Sequence, residues 1–247
     1  MLRVYNGDCL EKLPKIETNK ENTIIVTSPP YNLNLRIRSC SNKYKRREVE
    51  KGISEQVLRK YKNYKDDLPM DVYFDFQRRF LELALQKASL VFYNIQMVTG
   101  NKVALFDLIG HFSTNIKEVI IWDKINSQPA VKDGCLNSRY EFVFVLAEDG
   151  MRRRFEGAPF HRGLDNLWQI KAGRHKGCRA GFPEELVSTI LTSFAPEGSY
   201  IIDPFMGAGT TGVVCKKLGY DFIGIELDEE TYNYAKQWIS ETQPLTS

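Results

Sequence analysis

The chain has 247 residues, 43% of them hydrophobic and 26% charged, with a formal net charge of +3 and a pI near 8.5. This composition is that of a soluble globular protein with a sizeable core, and it excludes a disordered or collagen-like chain. Five scattered cysteines (Cys9, Cys40, Cys135, Cys178, Cys215) without a CxxC pair, and only three histidines, argue against a disulfide framework and against a metal site. The same cysteine usage fits a reducing cytoplasm. Arg3, Asp8, Glu11 and Lys12 interrupt any apolar leader, and no stretch is long enough to span a membrane.

Residues 2–6 alternate as a short strand closed by Gly7. Asp8 either caps the helical turn that follows, from Cys9 to the break expected at Pro14, or serves a site; its position allows both. Ile24, Ile25 and Val26 then run into Thr27-Ser28-Pro29-Pro30-Tyr31-Asn32. A β-branched run favours a buried strand, and consecutive prolines cannot continue one. The product is a stiff corner that presents a hydroxyl, carbonyls and an aromatic ring at a strand end, where open α/β sheets bind ligands. Taken alone, an ordinary strand-ending turn explains the same residues.

Further along, residues 71–88 have the spacing of an amphipathic helix, 90–95 that of a strand and 101–112 that of another helix. Strands are expected at 116–122 and 140–147, and a helix opens near Phe182-Pro183-Glu184-Glu185 and runs to about Phe194. A strand over 198–202 enters Asp203-Pro204-Phe205-Met206-Gly207-Ala208-Gly209-Thr210-Thr211-Gly212. A helix to Leu218, a strand over 221–225 ending at Glu226 and Leu227, and a last helix from about Asp228 complete the chain. The alternation predicts a doubly wound α/β domain over 1–247 with a mostly parallel, Rossmann-like sheet.

Charge is unevenly placed. Residues 36–65 hold eleven Lys or Arg, Arg36, Arg38, Lys43, Lys45 and Arg46 among them, against three acids. Residues 151–179, within a segment bounded at 148–180, hold eight against two, including Arg152, Arg153, Arg154 and Arg174. Both read as insertions in the domain. A solvated charged face is the ordinary explanation of such runs; two of them in a chain of net charge +3 suit a polyanion cleft.

Gly207, Gly209 and Gly212 fit G-x-G-x-x-G between a strand and a helix, with Glu226 ending the next strand. That register points to a nucleoside-bearing cofactor whose ribose the acid grips; the alternative is a tight turn beside a surface Glu. Only 35 residues follow Gly212, so the sheet has to be completed by strands that precede the loop. The Ser28 corner is thereby expected beside the loop, at the switch point of the sheet.

Ser28-Pro29-Pro30-Tyr31 together with Asp203-Pro204-Phe205-Met206-Gly207-Ala208-Gly209-Thr210-Thr211 resembles the S-adenosylmethionine-dependent amino DNA methyltransferases, in the circularly permuted order of their β group. Gly7-Asp8-Cys9 is similar to that family's adenine-contacting strand end. Asn166-Leu167-Trp168 resembles its short tryptophan element, and Phe182-Pro183-Glu184-Glu185-Leu186 its helix before the cofactor loop. His175 stands seven residues before Phe182, a departure from the compact His-Pro pattern common in the family. The resemblance implies catalysis by Ser28, Pro29, Pro30 and Tyr31, and S-adenosyl-L-methionine held by Asp8, Cys9, Asp203, Phe205, Gly207, Gly209, Thr210, Glu226 and Leu227. It implies no metal, a double-stranded DNA partner contacted by the basic residues named above, a cognate restriction endonuclease as counterpart, a cytoplasmic location, and a monomer or homodimer. Ser28, where many adenine enzymes carry Asp or Asn, implies cytosine N4 as the acceptor. Adenine N6 is the alternative on the same machinery; RNA or protein-amide methylation and a dinucleotide oxidoreductase are the more distant ones.

Overall fold

The computed structural model describes residues 1–32, 67–128, 134–156, 158–160, 163–173 and 183–245. In chain order the elements are β1 (Leu2–Asn6), α1 (Cys9–Lys12), β2 (Thr23–Thr27), α2 (Met70–Lys87), β3 (Leu90–Ile95), α3 (Lys102–His111) and β4 (Ile116–Gln128). They continue with β5 (Ser138–Leu146), β6 (Leu167–Gln169), α4 (Glu184–Phe194), β7 (Tyr200–Asp203), α5 (Thr210–Leu218), β8 (Asp221–Glu226) and α6 (Glu229–Glu241). Among the described residues the strands form one sheet in the order β1-β8-β7-β2-β3-β5-β4-β6. β5 runs antiparallel to β3 and β4, and the other pairings are parallel. The expected mostly parallel α/β sheet is therefore what the chain forms.

Strand composition explains the two layers. Every residue of β2 is buried, and alternate side chains go to opposite faces. Ile24 and Val26 join Leu186, Ile190, Val213 and Ala235 of α4, α5 and α6, whereas Ile25 joins Phe80, Leu81 and Leu105 of α2 and α3. β7 repeats the division, with Ile201 on the first face and Ile202 on the second. The last two strands in sequence, β7 and β8, lie between β1 and β2, as the short tail after Gly212 requires. The register Ile25↔Ile202 sets the Ser28 corner beside the loop that follows Asp203.

Three details depart from the sequence-based expectation. Pro14 does not stop the first helical turn; the chain continues as a 3-10 turn over Leu13–Lys15, where an early proline has no intrahelical N–H to lose. β4 runs six residues past the expected Trp122, through Asp123-Lys124-Ile125-Asn126-Ser127-Gln128. This half lacks an apolar alternation and is held by pairing with β5 (Gln128↔Ser138), across an irregularity after Asp123 where Ile125 takes φ +67°. The tryptophan element is a strand, β6, whose three residues pair with Ile121, Trp122 and Asp123 of β4. It is too short to show a period of its own.

Candidate active site

The corner after β2 is fixed from several sides. The Pro30 carbonyl accepts from Tyr73 Oη (2.8 Å) and Gln77 Nε2 (3.2 Å) of α2, and Gln77 in turn accepts from Tyr93 Oη (2.9 Å) of β3. Asn32 takes a left-handed φ of +55°, which asparagine tolerates better than most residues. Its amide donates to the carbonyls of Leu68 (3.0 Å) and Gly100 (2.8 Å) and accepts from the Leu68 N–H (2.8 Å). Pro29 and Pro30 are buried; Ser28 and Tyr31 are half-buried at the lip of the sheet. Ser28 Oγ and Tyr31 Oη lie 2.8 Å apart.

Next to this corner, Asp203 ends β7 at 2% exposure. Its carboxylate accepts from Thr27 Oγ1 (2.8 Å), Thr211 Oγ1 (2.7 Å) and the Phe205 N–H (3.2 Å). Burial nevertheless dominates and pushes its pKa up to about 6. Through Thr27 this carboxylate ties the residue before Ser28 to the glycine loop. That internal role is the one its carboxylate has in the structure.

The three glycines do different work. Gly207 takes φ +54°, and a Cβ there would meet nothing nearer than the Phe205 carbonyl at 3.9 Å, so its outer face is open to a ligand. A Cβ on Gly209 would lie 3.0 Å from Ala235 Cβ, and one on Gly212 2.5 Å from Ile239 Cδ1 and 2.6 Å from Phe222 Cε1. These two glycines let α5 sit close against α6 and β8. The Gly207 N–H donates to Glu226 Oε2 and the Asp228 N–H to Oε1, both at 2.9 Å. Burial raises the Glu226 pKa against these backbone donors. The β1↔β8 register places Asn6 opposite Glu226, so Asp8, which caps α1 through the Leu10 N–H (2.7 Å), emerges beside it. Asp8 thus has the capping role and lies near the candidate site as well. Thr210 is buried at the start of α5, Phe205 packs edge-on against Phe76 and Phe80, and Leu227 is exposed beyond Glu226. Cys9 faces the core below α1, where burial pushes its thiol up. An open glycine turn, two carboxylates on neighbouring strand ends and an apolar wall fit a nucleoside-bearing group.

Sequence reasoning missed a buried polar cluster that meets Tyr31. Tyr31 Oη donates toward Asn94 Oδ1 of β3 and Glu141 Oε2 of β5, each at 2.7 Å. Lys124 Nζ of β4 donates to Glu141 Oε1 at 2.7 Å, and the two are 2% and 8% exposed. Nearby, Arg139 pairs with Asp123 and holds its carboxyl down at about 2. A signal was available in Asn94, a polar residue inside the apolar run of β3.

The basic residues divide. Arg36, Arg38, Lys43, Lys45, Arg46, Arg174 and His175 lie outside the described residues. Arg152, Arg153 and Arg154 follow the far end of antiparallel β5, and Arg153 pairs with Glu118 near the start of β4. From Glu118 to Trp122, the residue opposite Glu141, is four strand residues, roughly 13 Å. The structure therefore separates these three arginines from the Ser28 corner, because antiparallel β5 carries the chain to the opposite end of the strands. Among the described residues no group of His, Cys, Asp and Glu is placed to hold a metal, and no helix is long and apolar enough to cross a membrane.

A proline turn that precedes a glycine loop, with both at the carboxyl ends of adjacent parallel strands, defines an α/β fold of permuted strand order. The chain belongs to the N6/N4 DNA methylase family, whose model, described as DNA methylase, matches residues 23–237. The type II methyltransferase M2.DpnII of Streptococcus pneumoniae is 46% identical over 135 residues, which are 48% of each chain. M.Cfr9I of Citrobacter freundii is 32% identical over 130 residues, 49% of this chain and 43% of that one. In both, the match spans less than half of the relative. M.BglII of Bacillus subtilis is 23% identical over 278 residues, 96% of this chain and 69% of that one. In fold the chain is similar to the PvuII DNA methyltransferase (cytosine-N4-specific), with TM-score 0.69 and 16% identity over 100% of this chain and 88% of the other. It is also similar to TTHA0409 of Thermus thermophilus complexed with S-adenosyl-L-methionine, with TM-score 0.66 and 18% identity over 100% and 98%.

Proposed function

We infer that the chain transfers the methyl group of S-adenosyl-L-methionine to the exocyclic N4 amino group of cytosine in double-stranded DNA. The carrying observation is the Ser28 hydroxyl at the carboxyl end of β2, locked beside the Gly207 loop through the Thr27–Asp203 hydrogen bond. Family membership supports the reaction class. The cofactor complex of TTHA0409 supports the methyl donor, and the cytosine-N4 specificity of the PvuII enzyme supports the acceptor.

Asp8, Phe205, Gly207, Gly209, Thr210 and Glu226 are the residues that would hold the cofactor, with Leu227 at the rim. When bound, it supplies an electrophilic methyl group on a sulfonium, whose sulfur keeps the C–S electron pair as the new N–C bond forms. Ser28 and the Pro29 carbonyl accept hydrogen bonds from the two amino hydrogens. They thereby favour a pyramidal nitrogen with its lone pair aimed at the methyl, and one of those protons is released. This is positioning and electrostatics, without a side-chain nucleophile. The base has to leave the duplex, and the Tyr31 ring supplies a stacking surface. Phosphate contacts fall to the segment 36–65 and to residues around Arg174. A cognate restriction endonuclease is the matching counterpart.

The test is to incubate the protein with S-adenosyl-L-methionine and duplex DNA, digest the DNA to nucleosides and identify the methylated one. N4-methylcytosine is expected. N6-methyladenine would overturn the base assignment while keeping the class, and an unmodified digest would overturn both. Tyr31→Ala should abolish transfer and leave cofactor affinity within about threefold, since the ring serves the base.

A further inference from the structure

Two acceptors converge on one phenol hydrogen. Tyr31 carries a single O–H, directed at Asn94 Oδ1 and Glu141 Oε2 at 2.7 Å each. The Asn94 oxygen is the acceptor end of its amide, because Nδ2 donates to the Phe142 carbonyl at 3.1 Å. Glu141 is ion-paired with Lys124, whose Nζ donates to the other carboxylate oxygen at 2.7 Å. A carboxylate accepts and does not donate. The phenol hydrogen therefore goes inward, to one partner or the other. The 2.8 Å contact between Ser28 Oγ and Tyr31 Oη is then donated by Ser28, because Tyr31 has no second hydrogen to give.

We propose that the buried Lys124–Glu141 pair, with Asn94, is a positioning device that fixes the direction of this relay, so that Ser28 meets the target base with oxygen lone pairs and no hydrogen. The inference rests on the reading of Ser28–Tyr31 as the methyl-accepting site. Its consequence is base selection. An amino group, as on cytosine or adenine, has hydrogens to give such an acceptor. A carbonyl at the same ring position, as on uracil, thymine or guanine, places acceptor against acceptor and leaves the buried polar group unpaired. Buried ion pairs are costly to desolvate and are often matched in stability by apolar residues. A pair kept beside the Ser28 corner is consistent with a role in polarity rather than in stability.

The experiment compares equilibrium affinity for two duplexes that differ at the target position alone, one with cytosine and one with uracil. Wild type should prefer cytosine. In Glu141→Gln the amide oxygen can still accept from Lys124, while its nitrogen donates to the phenol oxygen and competes there with Ser28. That frees the Ser28 hydrogen for a carbonyl, and the preference should shrink about tenfold, the worth of one hydrogen bond. Lys124→Met combined with Glu141→Gln removes the buried lysine charge that the single variant leaves uncompensated, and should show the same loss with a melting temperature near that of wild type. An unchanged cytosine-to-uracil ratio in both variants, or a wild type without preference, overturns the proposal. A purely structural role would lower affinity for both duplexes equally and leave the ratio untouched. If wild type transfers a methyl group to no base at all, the reading of the site fails and takes the proposal with it; a methylating wild type with an unmoved ratio sinks the proposal alone.

Discussion

Two carboxylates at adjacent strand ends are both raised by burial, with different consequences. Glu226 accepts from the Gly207 and Asp228 N–H groups, yet burial outweighs them and raises its pKa. A ribose grip needs the ionised form, so cofactor affinity should fall as pH drops through that raised value. Glu226→Ala should weaken S-adenosyl-L-methionine binding by about 1–3 kcal/mol, measured by calorimetry, through loss of hydrogen bonds to a charged acceptor. Asp203 is held at about 6 against an ordinary 3.8. Between those values the native chain binds the extra proton, so its stability declines as pH rises through the window. The decline amounts to about 3 kcal/mol, complete above the folded value and absent below the unfolded one. Urea melts between pH 4 and pH 7 check it, and Asp203→Asn should flatten the profile. The motif residues Ser28, Gly207 and Glu226 were legible in the sequence because each combines a residue type with a strand end. Lys124 and Glu141 were not. A charged residue within a strand reads as a solvent-facing position until the register Trp122↔Glu141 is known.

Among the elements, the parallel strands and the helices that cover them were readable nearly to the residue, because buried β-branched runs and amphipathic spacing are strong signals. The distal half of β4 and the whole of β6 were not, since pairing rather than local preference holds them. α5 shows how tightly the layers fit. Gly212→Ala puts a methyl 2.5 Å from Ile239 Cδ1 and 2.6 Å from Phe222 Cε1, so it should destabilise the fold by about 1–3 kcal/mol. Thermal unfolding should report this loss even without ligand. Had the third glycine served the cofactor, binding would suffer and the melt would not move.

Across the whole molecule, net charge understated the division of labour. The surplus of positive charge in two segments was visible from composition, but the direction of β5 decides that residues 152–154 lie away from the Ser28 corner. Arg153, 74% exposed and paired with Glu118 at the far end of the strands, should be dispensable: Arg153→Ala leaves the salt dependence of DNA affinity unchanged. Arg174→Ala should reduce the slope of log affinity against log salt by about one, the signature of a lost phosphate contact. Titrations at several salt concentrations separate the two. Asn32 carries the largest architectural consequence. Its hydrogen bonds to Leu68 bring positions 32 and 68 together, two fixed points that flank the basic stretch of the sequence. Closing a chain between two fixed points costs only a logarithm of its length, so doubling that length adds about 0.6 kcal/mol. A chain lengthened between these two points should therefore keep the Asn32 anchor and the Ser28 corner beside it, so that stability depends on the fixed ends far more than on the length that joins them.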